Sequence, residues 1–368
     1  MKIMVVFGTR PEAIKMCPLI CELKQRKELD VIVCLSGQHK DLVYPILKCF
    51  DISEDYNLDI MKENQTVTDI TVDTIKKIEP VLIKEKPEIV LVHGDTTTSL
   101  SAALSAFYQK IPVAHIEAGL RSYNRYSPFP EEMNRRLLSQ IVTYHFAPTL
   151  ENKNNLEKEN IKNNIYITGN TVIDSFKTTV RKNYKFENDI LNKLDDKYKY
   201  ILLTAHRREN IGIPLENICD AVIKIIENNK DVKVIYPVHP NPKIKEVVYR
   251  KLGNNNGIFL IDPVSVLDMH NLMDRCYLIM TDSGGIQEEA PSFDKPVIVL
   301  RNETERMEII ENGAAVLAGT DSNDIFNKTQ MILDDELLYK KMANTENPYG
   351  DGYASKRIAD IITDILGK

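Results

Sequence analysis

Two predicted strands near the middle of the chain each lead into an acidic residue. Ile89 to Val92 is a short apolar run followed closely by Asp95, and Pro112 to Ile116 is a second run followed by Glu117. Between them, Thr97 to Gln109 has the Ala- and Leu-rich spacing of a helix. In such a strand, helix, strand unit the carboxyl ends of the strands meet at one edge of the sheet, where α/β proteins bind ligands. We therefore expect Asp95 and Glu117 to face one crevice.

Two more carboxylates, Glu131 and Glu132, come just before a helix predicted to open at Met133. Crowded carboxylates raise one another's proton affinity, so one can stay protonated as a general acid while another acts as a base. Each acid taken alone has a structural alternative, because Asp95 can cap a helix and first-turn acids oppose the helix dipole favourably. Acids at the ends of consecutive elements favour acid–base chemistry.

A glycine turn in the second half of the chain is typical of phosphate binding. Ser283-Gly284-Gly285 follows the predicted strand Leu278 to Thr281 and precedes a short helix. Its backbone N–H groups can donate to a phosphate that approaches closely. Glu289, further along the same helix, can accept hydrogen bonds from paired hydroxyls such as those of a ribose. The alternative is a plain tight turn.

Cationic side chains follow other predicted strands. Arg10, Arg207 and Arg306 carry guanidinium groups that match the oxygens of a diphosphate, although an arginine taken alone is more often a surface or ion-pair residue. His206 stands beside Arg207 at a strand end, where it can hydrogen-bond a phosphate or transfer a proton. Together with the glycine turn, these residues predict a nucleotide diphosphate ligand.

We expect neither a metal nor a nicotinamide cofactor. His93 and His115 each precede an acid by two residues, but carboxylate-rich positions without a regular ligand motif are weak grounds for a metal site. Gly8, after the first predicted strand, does not begin the G-x-G-x-x-G fingerprint of dinucleotide sites. We interpret His239 and His270 as structural.

Composition limits the classes of protein to consider. At 368 residues the chain exceeds the usual size of one core, so two domains are expected, and 43% hydrophobic with 27% charged residues is typical of a globular protein. A net charge of -6 without a long basic run argues against nucleic acid as a partner. Met1 to Phe7 enters a strand directly and no apolar run approaches ~20 residues, so we expect neither a signal peptide nor a membrane span. The six scattered cysteines are interpreted as reduced thiols.

Apolar runs alternate with helical patterns through both halves of the chain. This alternation predicts an α/β fold of two doubly wound, Rossmann-like parallel sheets that face each other across a cleft. The predicted strands, all short and apolar, are Lys2 to Phe7, Asp30 to Leu35, Ile89 to Val92, Pro112 to Ile116, Val142 to Ala147, Ile165 to Thr168, Tyr200 to Thr204, Val232 to Pro237, Gly257 to Ile261, Leu278 to Thr281 and Pro296 to Leu300.

Six motifs spread over nearly the whole chain together resemble the non-hydrolysing UDP-N-acetylglucosamine 2-epimerases. These motifs are Gly8-Thr9-Arg10-Pro11-Glu12, His93-Gly94-Asp95-Thr96, His115-Ile116-Glu117-Ala118-Gly119-Leu120-Arg121, Pro130-Glu131-Glu132-Met133-Asn134-Arg135, Ala205-His206-Arg207-Arg208-Glu209-Asn210 and Ser283-Gly284-Gly285-Ile286-Gln287-Glu288-Glu289. The resemblance implies a glycosyltransferase-B-like fold and a cytoplasmic homodimer. It implies interconversion of UDP-GlcNAc and UDP-ManNAc, which supplies ManNAc units for surface polysaccharide.

The resemblance also implies a domain layout. Residues 1–169 would form an α/β domain with the catalytic acids, residues 170–350 a nucleotide-binding α/β domain, and residues 351–368 a helix that returns to the first domain. Apolar residues at helical spacing in this last segment, such as Ile358 and Ile362, agree with a packed helix.

Roles transfer by resemblance onto matching positions. The implied catalytic residues are Asp95, Glu117, Glu131 and His206. The implied substrate and nucleotide contacts are Arg10, Lys15, Met269, Ser283, Gly284, Gly285, Glu289 and Arg306. Met269 stands near the uracil position, where relatives commonly have an aromatic residue, and Met307 stands where relatives usually have proline. Relatives that need UDP-GlcNAc at a second, regulatory site match Gln38, His39 and Gln65.

The position of the C2 hydrogen limits the possible mechanisms, independently of the resemblance. The C2 hydrogen of an N-acetylhexosamine is not next to a carbonyl, so simple removal and return of the proton is not feasible. Either a nicotinamide oxidises a neighbouring carbon, or UDP leaves C1 as C2 loses its proton and then adds again to the glycal. The alternatives that stay open are a hydrolysing 2-epimerase, an epimerase of a modified UDP-N-acetylhexosamine, a glycosyltransferase and a non-catalytic nucleotide-sugar sensor.

Overall fold

The structure is a computed structural model that describes residues 1–38 and 40–367. It contains two α/β units. Unit 1 comprises Met1–Thr178 and Tyr349–Lys368, and unit 2 comprises Thr179–Pro348. Each unit is built on one parallel sheet, of seven strands in unit 1 and six in unit 2. The predicted fold class of two doubly wound parallel sheets is confirmed.

Strands and helices alternate through unit 1. Its elements are β1 (Lys2–Phe7), α1 (Arg10–Lys24), β2 (Asp30–Leu35), α2 (Lys40–Cys49), β3 (Tyr56–Asn57), α3 (Val67–Glu85), β4 (Ile89–His93), α4 (Thr97–Tyr108), β5 (Val113–Ile116), α5 (Glu131–Ile141), β6 (Tyr144–Ala147), α6 (Leu150–Lys158), β7 (Ile165–Ile167) and α7 (Thr171–Thr179). The strand order is β3-β2-β1-β4-β5-β6-β7. The order reverses between β1 and β4, so this sheet has its switch point there.

Unit 2 repeats the pattern. Its elements are β8 (Lys199–Thr204), α8 (Ile213–Asn228), β9 (Val232–Pro237), α9 (Pro242–Leu252), β10 (Ile258–Ile261), α10 (Val266–Arg275), β11 (Leu278–Thr281), α11 (Gly284–Glu289), β12 (Val297–Val299), α12 (Met307–Glu311), β13 (Ala315–Leu317), α13 (Ser322–Asp334) and α14 (Glu336–Ala343). The strand order β10-β9-β8-β11-β12-β13 reverses between β8 and β11. The second switch point therefore lies between those two strands.

Central strands of both sheets are buried on both faces, as parallel sheets require. In unit 1, Met4 of β1 and Val90 of β4 share one apolar cluster with α3 and α4. In unit 2, Leu203 of β8 and Met280 of β11 share another with α8 and α9. Near-continuous apolar runs in the sequence come from this two-sided burial.

Some predicted strand limits were wrong for identifiable reasons. β5 and β12 begin at Val113 and Val297, one residue after the predicted starts. The residues before them, Pro112 and Pro296, have no N–H to donate to the ladder. Strands β3 and β13, of two and three residues, were not predicted.

The final helix, α15 (Ala354–Leu366), belongs to unit 1 and packs on α1. Arg26, just after the end of α1, contacts Asp360 of α15. The buried carboxylate of Asp174 accepts hydrogen bonds from the N–H groups of Ala354 and Ser355, at 3.2 and 2.8 Å. These contacts fix the start and one face of α15 against unit 1. No helix among residues 1–38 and 40–367 has the length and apolar character needed to cross a bilayer.

Truncating the buried face of α15 is expected to destabilise unit 1. Ile362 has 0% exposure, so Ile362→Ala leaves a cavity that costs about 2–5 kcal/mol of the free energy of unfolding. A matched change on the exposed face, Asp364→Ala, should stay within about 0.5 kcal/mol. Thermal unfolding followed by calorimetry compares the two. Equal Tm values would show that α15 does not stabilise the unit.

Candidate active site

The turn between β1 and α1 is held by a buried carboxylate. Glu12 is 2% exposed, and its Oε2 accepts from the N–H groups of Gly8 and Thr9 at 3.0 and 2.8 Å. Its Oε1 accepts from the hydroxyls of Thr96 and Ser99 at 2.7 and 3.0 Å. Glu12 thus ties the β1–α1 turn to the start of α4 across the switch point of the first sheet.

The β1–α1 turn presents Arg10 to solvent. Gly8 is needed there, because a Cβ at that residue would lie 1.7 Å from Ser36 Oγ. Arg10 is exposed at the first position of α1. Its guanidinium has no hydrogen bond or ion pair among residues 1–38 and 40–367. This predicted anion contact is therefore available to a ligand.

Glu117, directly after β5, is held from several sides. Its Oε2 contacts the Lys15 ammonium, accepts from Asn170 Nδ2 at 2.9 Å and lies 3.7 Å from His93 Nε2. Its backbone φ is +65°, a left-handed conformation that is costly for a residue with a side chain and clusters at functional sites. The positive charge of Lys15 stabilises negative charge on this carboxylate.

Asp95, after β4, is tied to helix α5. Its Oδ2 accepts from Arg135 Nε at 2.8 Å and forms an ion pair with the same guanidinium, and its backbone carbonyl accepts from Asn134 Nδ2 at 2.9 Å. The capping alternative for Asp95 is wrong, because Thr96 is the N-cap of α4 and its side chain accepts from Ser99 N. Asp95 is thus placed beside the first turns of the helix that begins at Glu131.

The adjacent acids Glu131 and Glu132 have different environments. Glu132 is fully buried, and it accepts from the N–H groups of Ser122 and Tyr123 at 2.9 and 3.1 Å. It shapes the loop before α5. Glu131 Oε2 is buried without a hydrogen-bond partner among the described residues. Buried polar atoms are usually satisfied, so an unsatisfied one at a strand-edge loop marks a place for a ligand group.

Burial disfavours the protonated form of three histidines on β4, β5 and β6. Burial lowers the pKa of His93, lowers that of His115 to about 3 and lowers that of His145 to about 4. His115 Nε2 is hydrogen-bonded to the carbonyl of Gly94 at 2.7 Å. Within the part of the chain that the structure describes, no group of three or more His, Cys, Asp or Glu side chains could hold a metal ion.

At the switch point of the second sheet, Asp282 organises the loop that carries His206. Asp282 is 0% exposed. Its Oδ2 accepts from the N–H groups of His206 and Arg207 and from Asn210 Nδ2, each at 2.9 Å. His206 itself is 40% exposed in its side chain, and its ring centroid lies 5.5 Å from that of His239.

The glycine turn and Arg306 are brought together in unit 2. A Cβ at Gly284 would lie 2.8 Å from Arg306 Cζ, so glycine is required for the guanidinium to approach the turn. Arg306 donates to Glu288 Oε1 at 2.8 and 3.0 Å and contacts Glu305. Burial opposes ionisation of Glu305, but Arg306 and Arg301 lower its pKa to about 2. Arg306 is therefore set in a charged network beside Ser283-Gly284-Gly285.

Glu289, Met269 and Met307 of unit 2 lie on three different helices. Glu289, at the end of α11, has its Oε2 3.5 Å from His270 Nε2, and His270 Nδ1 is 2.8 Å from the Thr179 hydroxyl. Met269 is half-buried on α10. Met307 is 43% exposed at the start of α12, next to Arg306.

The candidate regulatory residues are held by separate segments. Gln38 Oε1 accepts from the Thr98 hydroxyl of α4 at 3.2 Å. Gln65 Oε1 accepts from the N–H of Lys62 at 2.9 Å in the loop before α3. His39 lies outside the described residues.

Sequence reasoning assigned no role to Glu12, Asn170 or Asp282. Glu12 has a usable signal, because Thr9 and Glu12 have the spacing of a capping box. Asn170 and Asp282 each follow a strand and could have been examined for that reason. Their partners, Glu117 and His206, are 53 and 76 residues away, and no local pattern connects residues at that separation.

Known proteins resemble this chain along its length. A family model described as UDP-N-acetylglucosamine 2-epimerase matches residues 21–363. The UDP-N-acetylglucosamine 2-epimerase of Bacillus subtilis strain 168 is 49% identical over 361 residues, which cover 98% of this chain and 94% of that protein.

Solved structures agree. A UDP-GlcNAc 2-epimerase from Neisseria meningitidis, bound to UDP-GlcNAc, is 44% identical with a TM-score of 0.89, covering 99% of this chain and 100% of that one. The Methanocaldococcus jannaschii enzyme, in complex with UDP-GlcNAc and UDP, is 36% identical with a TM-score of 0.79 and the same coverages, 99% and 100%. The resemblance found in the motifs is confirmed, and the chain belongs to the UDP-N-acetylglucosamine 2-epimerase family.

Proposed function

We propose that this protein is a non-hydrolysing UDP-GlcNAc 2-epimerase that interconverts UDP-GlcNAc and UDP-ManNAc. The observation that carries the proposal is the environment of Glu117, a strand-end carboxylate in a left-handed conformation beside the Lys15 ammonium. Such a residue is suited to take a proton from carbon. Family membership and the ligands of the Neisseria meningitidis and Methanocaldococcus jannaschii structures support UDP-GlcNAc as the substrate.

The reaction proceeds by elimination and addition. A base takes the C2 proton, the C1–oxygen bond breaks, and its electron pair leaves with UDP, so that a glycal with a C1–C2 double bond remains. In the second half, C2 gains a proton on the opposite face and a UDP oxygen forms the new bond to C1. Neither half transfers a hydride, so this route requires no nicotinamide.

Unit 1 supplies the acid–base groups. Asp95 and Glu117 each pair with a cationic side chain, Arg135 and Lys15 respectively. Glu131 adds a buried carboxylate oxygen without a partner among the described residues. Removing the proton on one face and returning it on the other requires more than one such group.

Unit 2 supplies the groups that stabilise UDP as a leaving group. Arg306 and the N–H groups of Ser283, Gly284 and Gly285 bind the diphosphate, and His206 hydrogen-bonds it or exchanges a proton with it. Arg10 of unit 1 adds a further cation. Glu289 accepts from the ribose hydroxyls, and Met269 contacts the uracil. Retention of UDP distinguishes this proposal from a hydrolysing 2-epimerase.

Incubation of the protein with UDP-GlcNAc alone tests the proposed function. Proton NMR should show UDP-ManNAc growing to a constant ratio with UDP-GlcNAc, without free sugar. Free ManNAc would indicate a hydrolysing enzyme. No product would indicate a glycosyltransferase or a nucleotide-sugar sensor, and conversion only of a decorated UDP-N-acetylhexosamine would indicate a modified substrate.

The cellular role follows from the product. We place the enzyme in the cytoplasm as a homodimer that supplies ManNAc units for surface polysaccharide. Neither nucleic acid nor membrane is required as a partner, since the substrate is a soluble nucleotide sugar.

We also propose regulation by UDP-GlcNAc at a second site formed by Gln38, His39 and Gln65. A regulatory ligand acts only through its differential affinity for the competent state. UDP-ManNAc alone should therefore react with a lag that traces of UDP-GlcNAc abolish. Gln38→Ala should weaken this activation without changing UDP affinity, whereas Gln25→Ala, at the exposed end of α1, should preserve it. Immediate full-rate conversion of pure UDP-ManNAc would exclude the second site.

A further inference from the structure

Among the described residues, only one of the two carboxylate oxygens of Asp282 accepts hydrogen bonds. Its Oδ2 accepts from the N–H groups of His206 and Arg207 and from Asn210. Its Oδ1 is buried and has no hydrogen-bond partner among the described residues. A buried carboxylate oxygen without a hydrogen-bond partner costs free energy of folding. We therefore looked for a nearby group that could satisfy it.

The nearest candidate partner of this oxygen is the imidazole of His206. Asp282 Oδ1 lies 3.8 Å from His206 Nδ1, which is longer than a hydrogen bond but within the range of an ion pair. Hydrogen bonds of catalytic groups are often long without substrate and shorten when it binds. The two residues follow β11 and β8, and these strands pair with Thr281 opposite Thr204. The register of these two strands therefore places Asp282 and His206 next to each other.

We propose that Asp282 is a positioning residue for His206. Oδ2 holds the backbone of the His206–Arg207 turn, and Oδ1 keeps the proton of the imidazole on Nδ1. The other ring nitrogen, Nε2, is then left to accept a proton from, or return it to, an oxygen of the ligand. A carboxylate that sets the tautomer and orientation of a histidine is the arrangement that catalytic triads use. The ligand, UDP, rests on the proposed function, but the contact between the side chains does not.

The tautomer of His206 can be read directly. The protein is labelled with ¹⁵N-histidine, and long-range ¹H–¹⁵N spectra are recorded at increasing pH until the signals of the ring nitrogens no longer change. The His206→Asn variant identifies the His206 signal. We expect the proton on Nδ1. A proton on Nε2 in the wild-type protein would overturn the proposal, and this result needs no Asp282 variant to fold.

A substitution then tests the cause. Asp282→Asn can keep an oxygen toward the turn while it places an N–H donor against Nδ1, which should move the ring proton to Nε2. Asn210→Ala is the control, because it removes a donor to Oδ2 and leaves Oδ1 in place, so the Nδ1–H tautomer should persist. An unchanged tautomer in folded Asp282→Asn, checked by circular dichroism, would contradict the proposal.

Kinetics separates positioning from loss of structure. Asp282→Asn should lower kcat with UDP-GlcNAc by about tenfold to a hundredfold, less than the 10²–10⁴-fold typical of an acid or base itself, and change KM by less than about threefold. In the His206→Asn background the same change should cost nothing further. An equal further loss there would show a structural role only. If the protein did not epimerise UDP-GlcNAc, the tautomer would still decide the role of Asp282, so the two failures are distinguishable.

Discussion

Replacing Glu117 with glutamine is expected to lower kcat for UDP-GlcNAc epimerisation by about 10²–10⁴-fold, the contribution of a positioned acid or base. The amide cannot accept a proton from C2, yet it has nearly the same size and still accepts from Asn170. KM for UDP-GlcNAc should change little, because the proposed nucleotide contacts other than Arg10 are in unit 2. Initial rates measured by proton NMR give both constants.

Asp95→Asn and Glu131→Gln should lower kcat by a similar order of magnitude. The control is Glu151→Gln in α6, which is 52% exposed and should keep wild-type activity. Wild-type rates in all of the Asp95, Glu117 and Glu131 variants would assign these acids to structural roles and remove the basis for acid–base catalysis in unit 1.

The neighbouring residue Glu132 provides a contrast. Its carboxylate accepts from two backbone N–H groups and from Arg135, so Glu132→Gln should lower Tm by weakening the loop before α5. Glu131→Gln should leave Tm unchanged, since no hydrogen bond to Oε2 is lost within the described residues. Glu132 would then contribute to stability and Glu131 to turnover.

The sequence predicted eleven of the thirteen described strands and the residues at their ends, because two-sided burial leaves apolar runs and parallel sheets collect ligand groups at one edge. It could not predict the order of the strands. That Arg10 and Asp95 lie on either side of one switch point depends on β1 pairing with β4. Sequence periodicity carries no information on this pairing.

Contacts between residues far apart in the sequence could not be predicted either. Asp95 was a candidate cap, but Thr96 has that role. Glu131 and Glu132 could not be told apart by residue type, since only the backbone of Ser122 and Tyr123 makes Glu132 structural. Lys15 was expected at the substrate, and the structure places its ammonium on Glu117. The partner of a charged side chain is set by the folded structure and cannot be read from the sequence.

The proposed mechanism makes its clearest prediction for the hydrogen at C2, which is either replaced by solvent hydrogen or retained. If a carboxylate such as Glu117 takes the proton and exchanges it with water before the reverse step, solvent hydrogen must enter C2 on each productive turnover. A route that leaves the C2–H bond intact has no such requirement. Because the reaction is reversible, both epimers should be labelled at equilibrium.

The decisive measurement is therefore proton NMR of UDP-GlcNAc incubated with the protein in deuterated water, without added nicotinamide. The account predicts that the C2 proton signal is absent from UDP-ManNAc as it forms and then disappears from UDP-GlcNAc, while UDP remains bound to sugar at equilibrium. Full retention of protium at C2 of UDP-ManNAc would contradict elimination and re-addition of UDP.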